Sequence, residues 1–367
     1  MTVTTPAPMA PADLSALFDN DLIPVIRRLG ERGRGSTDPI SEADIATREA
    51  VWQSLAALGA LRSTALRETI AHAELMGRAT YQSPYLDTLT AAELFSTPDR
   101  PDDLSTELSA AIAAGDITIA IAARAEGTDD LRHPAPIEIE PETGRITGVR
   151  RFVAFAADVD FVCVVGRTST NPDAEPTAAL VPVDQPAVTI RRHDDIGRGE
   201  LYQITFNHAE VLPVGPTSAW ASALARARLR HASYLVGLTL GAIDLTAEYA
   251  RSRMVFGQPL AQFQAPAFRL AQLASRAEAV RTMLRQAAAD ADTNIALTAC
   301  QALLLAGDLA LEAGAEAVQL HGSFGLTMPC DAQRFYRRAV VDAILLGTGR
   351  DLRNQALELL TNGGASS

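Results

Sequence analysis

The sequence predicts an α+β fold in three parts: an N-terminal helical domain, a middle β-barrel or sandwich domain, and a C-terminal four-helix bundle. Three observations predict it. From about Asp13 to Gly115, apolar residues recur at three- and four-residue spacing, the period of a helix face. From about Ile117 to Pro216, short β-branched and apolar runs alternate with turn clusters. From about Thr217 to Leu360, long helical stretches return, broken only at Gly, Pro and Asn clusters. The expected domains are 13–115, 117–216 and 217–362.

In the first part, Val51-Trp52-Gln53-Ser54-Leu55-Ala56-Ala57-Leu58-Gly59 reads as a helix end with Gly59 as the cap. Thr97-Pro98-Asp99-Arg100-Pro101 reads as a loop between helices. In the second, Ile117-Thr118-Ile119-Ala120-Ile121 is a short strand. Phe161-Val162-Cys163-Val164-Val165 is a run expected of a strand buried on both faces. Glu142-Thr143-Gly144 and Thr170-Asn171-Pro172-Asp173 are turns. In the third, four helices are expected near 217–254, 261–290, 294–320 and 331–360, an antiparallel bundle. Their breaks fall at Phe256-Gly257-Gln258-Pro259, Asp292-Thr293-Asn294 and Gly322-Ser323-Phe324-Gly325.

The 367 residues are 47% hydrophobic, enough for a large core, and carry a net charge of −12. A surface this acidic repels phosphate backbones and anionic lipid, so neither nucleic acid nor membrane is an expected partner. All 32 basic residues are Arg, so the lysine of a phosphate-binding loop is missing even though Gly33-Arg34-Gly35-Ser36 looks like part of one. Cys163, Cys300 and Cys330 are odd in number and far apart, which excludes a disulfide framework and a cysteine zinc site. His193-Asp194-Asp195 has metal-ligand residue types, but neighbours on a strand point to opposite faces, and no metal is expected. The first twelve residues do not read as a signal peptide, and no uncharged stretch reads as long enough to cross a bilayer. A cytoplasmic location is expected.

The C-terminal part carries the sharpest motifs. Tyr249-Ala250-Arg251-Ser252-Arg253-Met254-Val255-Phe256-Gly257 is followed by Phe263-Gln264, and later by Gln319-Leu320-His321-Gly322-Ser323-Phe324-Gly325. In order and spacing these resemble the acyl-CoA dehydrogenase family, flavoproteins that oxidise acyl thioesters. The resemblance implies FAD as cofactor. It implies cofactor-binding roles for Arg253, Phe256, Gln264, Gln319, Gly322 and Thr348. An Arg suits a pyrophosphate because its fork of fixed donors is always charged. In the family most of these groups reach across an interface to the FAD of a neighbouring subunit. His321 lies inside the glycine motif, where packing at a helix end is its simplest role.

The same resemblance exposes gaps. The family's base is a carboxylate, needed to accept a proton from the carbon α to the thioester. At the two places where the family carries it, this sequence has Leu346, in Leu345-Leu346-Gly347-Thr348, and Ala227, just before Arg228. The flavin-facing loop matches Ala122-Ala123-Arg124-Ala125-Glu126-Gly127-Thr128-Asp129, with Ala122 where a hydroxyl is usual. The flavin-facing strand matches Arg150-Arg151-Phe152-Val153-Ala154, with Phe152 for Trp and Ala154 for Thr. Groups for a chain's own site are lost while groups for a neighbour's FAD remain.

The expected function is therefore a subunit of an FAD-dependent acyl-CoA or acyl-carrier-protein dehydrogenase, with no catalytic residue of its own. Its expected partners are a homologous subunit bearing the catalytic Glu, an acyl thioester, and an electron-transfer flavoprotein or similar acceptor. The alternatives are an autonomous flavin-dependent monooxygenase of the same fold and a catalytically dead stabilising scaffold.

Overall fold

The computed structural model describes residues 14–18, 42–95, 103–127, 130–140, 143–168, 174–193, 201–290 and 294–363. The expected loop at 97–101, the turn at 170–173, the 33–36 segment, and Glu142, Thr128, Asp129, Asp194, Asp195, Asp292 and Thr293 lie outside these residues.

Helices come first: α1 (Leu14–Leu17), α2 (Glu42–Ala57), α3 (Leu66–Arg78), α4 (Tyr85–Phe95) and α5 (Asp103–Ala114). The end of α2 is the expected glycine cap. Gly59 has φ +78°, its N–H donates to Ala56 O, and Ala60 N–H donates to Leu55 O. Trp52 is anchored from α2 by its indole N–H on Gly115 O at 2.9 Å.

Eight strands follow: β1 (Ile119–Ala122), β2 (Glu138–Ile139), β3 (Ile146–Ala154), β4 (Phe161–Gly166), β5 (Thr177–Pro182), β6 (Val188–Arg192), β7 (Leu201–Ala209) and β8 (Leu212–Pro216). They form two four-stranded sheets, ordered β1-β4-β5-β8 and β2-β3-β7-β6. Their facing sides share one core, with Ala122, Val162 and Val164 against Val153, Ile204 and Phe206. The other face of the first sheet packs Cys163, Val165 and Leu180 against helices through Leu94, Ile112 and Trp220. The apolar run of β4 is thus buried on both faces, as its sequence predicts. The outer edge of β1 is finished by α4: Thr88 and Asp87 side chains accept from the N–H groups of Ile119 and Ile121 at 3.0 and 3.1 Å. An edge strand in the interior requires such partners for its backbone.

The C-terminal region has α6 (Trp220–Ser252), a small hairpin of β9 (Met254–Val255) and β10 (Gln258–Pro259), α7 (Gln264–Ala289), α8 (Ile295–His321), α9 (Ala332–Asp342) and α10 (Gly349–Gly363). The fourth expected helix is therefore two. Gly347, at φ +139°, breaks the chain, and Thr348 caps the start of α10 by pairing with Asp351. α6, about 50 Å long, is the central rod. It meets α8 along an alanine-rich seam, with Ala302, Ala306 and Ala310 buried. It meets α3 where Gly77 and Gly237 face each other: a Cβ on Gly77 would lie 1.9 Å from Tyr234 O, and one on Gly237 2.0 Å from Glu74 O.

Among the described residues, one helix, α8, is long and apolar enough to cross a membrane by length and composition, although Asp308, Glu312 and Glu316 leave it no uncharged stretch of that length, as expected from the sequence. It is a core helix of the bundle, packed against α6, α7, α9 and α10, which is why its composition is so apolar.

Candidate cofactor and substrate site

The hairpin after α6 is built around two residues in the left-handed region, Phe256 at φ +49° and Gly257 at φ +85°. A two-residue turn of this kind matches the twist of its flanking strands. Glycine adopts it freely, but a bulky aromatic does so at a cost of about 1–3 kcal/mol. Phe256 is also 96% exposed. A strained and fully exposed aromatic gains nothing from the fold that holds it. Beside it, Arg253 is exposed, and its guanidinium makes no hydrogen bond or ion pair among the described residues. Its carbonyl instead accepts from Leu260 N–H at 2.8 Å and fixes the hairpin to the following turn.

Gln264 is exposed at the first residue of α7, and Gln319 is exposed in the last turn of α8. Gly322 ends α8 at φ +64°, and a Cβ there would meet nothing within 4 Å, so backbone is open to close approach. The two motifs are tied together by an aromatic contact. The Tyr249 ring, at the end of α6, stacks on His321, at the end of α8, with centroids 4.2 Å apart and planes at 23°. His321 is buried and its Nδ1 lies 2.8 Å from Ala317 O, so it acts as a packing residue at the helix end. Around this end of the bundle Met254, Phe324, Leu326 and Met328 leave apolar surface exposed. Thr348 lies elsewhere, with its hydroxyl held by Asp351 at the start of α10.

The two positions where the resemblance places the family's base are brought together in the structure. Ala227 and Leu346 line one cavity of about 80 Å³ between α4, α6, β1 and the 344–346 turn. A second cavity of about 80 Å³ adjoins it, and the two share Leu86, Asp87, Ala154, His231 and Leu345 as walls. Two buried arginines hold the turn from opposite sides. Arg228 donates from Nε to Leu346 O at 2.9 Å and from Nη1 to Gln355 Oε1 at 2.7 Å. Arg124 donates from Nη2 to Ile344 O at 2.9 Å. Burial lowers the Arg228 pKa, and nearby Cys300 and Asp130 oppose that shift. Of the flavin-facing matches, Ala122 is buried between the sheets and Ala154 lines both cavities. Phe152 sits in a bulge at φ +54° and stacks on His193 at 4.9 Å.

Asp87 is the residue the sequence reading missed. It keeps accessible surface although it lies deep in the chain, because that surface faces the two cavities. Desolvation pushes its carboxyl up to about 7, with the Ile121 N–H opposing. A faint signal was present: Asp87 and Glu93 are the only charged residues in the helix Tyr85–Phe95.

Residues 217–360 match the family described as acyl-CoA dehydrogenase, C-terminal domain. The 3-sulfinopropanoyl-CoA desulfinase of Paraburkholderia xenovorans is 29% identical over 280 residues, covering 72% of this chain and 68% of that protein. The structure is similar to the Tcur3481-Tcur3483 steroid ACAD, with a TM-score of 0.78, 23% identity, and 96% of this chain and 100% of that chain covered. It is also similar to the ChsE4-ChsE5 complex of Mycobacterium tuberculosis, with a TM-score of 0.76, 20% identity, and 98% and 99% covered.

The C-terminal region, residues 217–360, matches the acyl-CoA dehydrogenase family. The α+β architecture expected from the sequence is the fold of these neighbours. The family's cofactor is FAD, and the residues of this chain divide in how they fit it. The open glycine, the unengaged Arg253 and the exposed Phe256 fit a dinucleotide approaching from outside. The inner cavities do not fit a flavin ring. A cavity of about 150 Å³ is what one benzene ring occupies, whereas each of these voids is about 80 Å³ and three fused rings need more.

Proposed function

We propose that this chain is a subunit of an FAD-dependent acyl-CoA, or acyl-carrier-protein, dehydrogenase, and that its Arg253, Phe256, Gln264, Gln319 and Gly322 serve the FAD of a homologous partner subunit. The partner carries the catalytic carboxylate. When bound, FAD accepts the hydride that leaves the acyl β carbon, and an electron-transfer flavoprotein or similar acceptor reoxidises it. This chain supplies no proton acceptor at Leu346 or Ala227. Its Arg253 contributes charge for a pyrophosphate, Phe256 an apolar face beside it, and the Gly322 turn a close backbone approach.

The observation that carries this reading is the state of Arg253 and Phe256. Both are exposed, the second at the cost of backbone strain, and neither lines the cavities that contain Leu346 and Ala227. Groups that served this chain's own site would face those cavities. Thr348, occupied in capping α10, is the weakest member of the proposed set.

The test is flavin stoichiometry. Co-expressed with its partner, the chain should form a hetero-oligomer holding about one FAD per pair of subunits. Arg253→Ala should lower FAD affinity of the complex by roughly one to two decades, the value of a charge-assisted bond of about 1.5–3 kcal/mol. Arg253→Lys should restore part of it, keeping charge without the fork. One FAD per subunit in the isolated chain, with occupancy in the complex unmoved by Arg253→Ala, would rule the reading out.

A further inference from the structure

The apolar surface at the end of the bundle is not chemically uniform. Phe256, Phe324 and Leu326 offer it rings and an aliphatic chain, but two of its members carry sulfur. Met254 is 56% exposed and Met328 is 47% exposed. The other methionines among the described residues are withdrawn from solvent. Met76 is 2% exposed in the N-terminal helical core, and Met283 is half-buried against the core of the bundle.

Both exposed thioethers stand on ordered backbone. Met254 is the first residue of β9 and pairs with Pro259 of β10, beside the bond from Leu260 N–H to Arg253 O. Met328 lies between two turn bonds, Thr327 N–H on Phe324 O at 2.9 Å and Cys330 N–H on Thr327 O at 3.1 Å. Their exposure is therefore set by the fold. Each also adjoins a motif that is turned outward: Met254 follows Arg253 directly, and Met328 follows the turn that begins at Gly322.

A thioether has no proton to lose before it reacts, so access decides which one is attacked. With hydrogen peroxide, the sulfur attacks one oxygen. An S–O bond forms, the O–O bond breaks, sulfur gives up two electrons and water leaves. The product is a sulfoxide, whose polar oxygen keeps water on a surface that was apolar. The neighbouring Phe and Leu side chains have no such chemistry.

We infer that Met254 and Met328 are paired oxidation sites for hydrogen peroxide, and that their sulfoxides uncouple this chain from the partner subunit whose FAD it serves. The inference rests on the proposed role of Arg253, Phe256 and Gly322. A partner seated on those groups covers both thioethers, so oxidation strikes the unassembled chain and spares the complex.

Peptide mass spectrometry of the full chain after peroxide should show Met254 and Met328 each gaining one oxygen roughly tenfold faster than Met76, with the difference lost in urea. In the complex both should be protected to the level of Met76. Free chain that is oxidised, cleared of peroxide and mixed with the homologous partner and FAD should hold FAD roughly tenfold more weakly, as hydrated groups in an apolar contact predict. Met254→Leu with Met328→Leu conserves volume and should make FAD binding indifferent to the treatment. Met254→Gln with Met328→Gln should reproduce the loss without peroxide. If the Gln pair does not fold, the Leu pair still decides. An untreated chain that forms no FAD-bearing hetero-oligomer removes the reading of the site, and the inference with it. A complex that holds FAD equally before and after both methionines are oxidised, or Met76 modified as fast as they are in the folded chain, overturns the inference alone.

Discussion

The ring of Tyr249 lies flat against His321, 4.2 Å between centroids, and this contact joins the ends of α6 and α8. Through it the Arg253–Phe256 hairpin and the Gly322 turn share one end of the bundle. His321→Ala should remove the stack and loosen the relation between the two motifs. The expected result is a lower Tm of the chain and faster FAD loss from the complex, read by release of flavin fluorescence. Unchanged FAD dissociation would mean that the two motifs are positioned independently.

Restoring the family's base should not restore chemistry. Leu346→Glu would place a carboxylate in a cavity of about 80 Å³ that has no room for a flavin ring. Arg124 and Arg228 also hold the turn carrying that residue by its backbone. Turnover of acyl-CoA with an artificial electron acceptor should stay at background for the purified variant. Activity above background would show that the cavity opens enough to admit flavin.

The crossing of α3 and α6 should be intolerant of any side chain. Gly237→Ala directs a Cβ at a backbone oxygen 2.0 Å away, and neither helix can yield without shifting its neighbours. A loss of about 2–4 kcal/mol is expected, in the range of overpacked cores and severe strain. Urea denaturation should show a lower midpoint at unchanged slope.

Asp87 should leave a signature in the pH dependence of stability. Its carboxyl is raised to about 7 by burial from an ordinary value near 3.8, so between those values the folded chain binds the proton more tightly than the unfolded one. Its contribution is therefore fully present below about pH 4 and is lost as pH rises to about 7. The slope is at most about 1.4 kcal/mol per pH unit. His231 acts in the opposite sense, since burial lowers its pKa and its folded form resists protonation in acid. Asp87→Asn isolates the carboxyl: the variant should gain stability relative to wild type steadily from pH 4 to 7. A constant difference across that range would mean that Asp87 is not raised.

The helices, the strand runs and the glycine cap at Gly59 were legible because each depends on residues within a few positions of one another. The break at Gly347 was passed over because the apolar run before it and the helical residues after it gave the same period. α8 looked unlike a bilayer-crossing helix only because Asp308, Glu312 and Glu316 interrupt it. That Ala227 and Leu346 carry no proton acceptor was equally legible, since an alkyl side chain cannot act as a base in any fold.

The sequence by itself determined the local elements, the motifs that resemble the family's and the alkyl side chains at 227 and 346, because these are properties of residue identity and spacing. Only the tertiary structure decided that Arg253 and Phe256 face outward while Leu346 lines an inner cleft. It also decided that Asp87 stands in that cleft's wall with its proton affinity raised. Exposure, strain and desolvation arise from groups distant in the chain, Tyr249 with His321, Arg124 with Ile344, Asp87 with Ile121. No periodicity along the sequence encodes those meetings, because they are set by how α4, α6 and β1 pack.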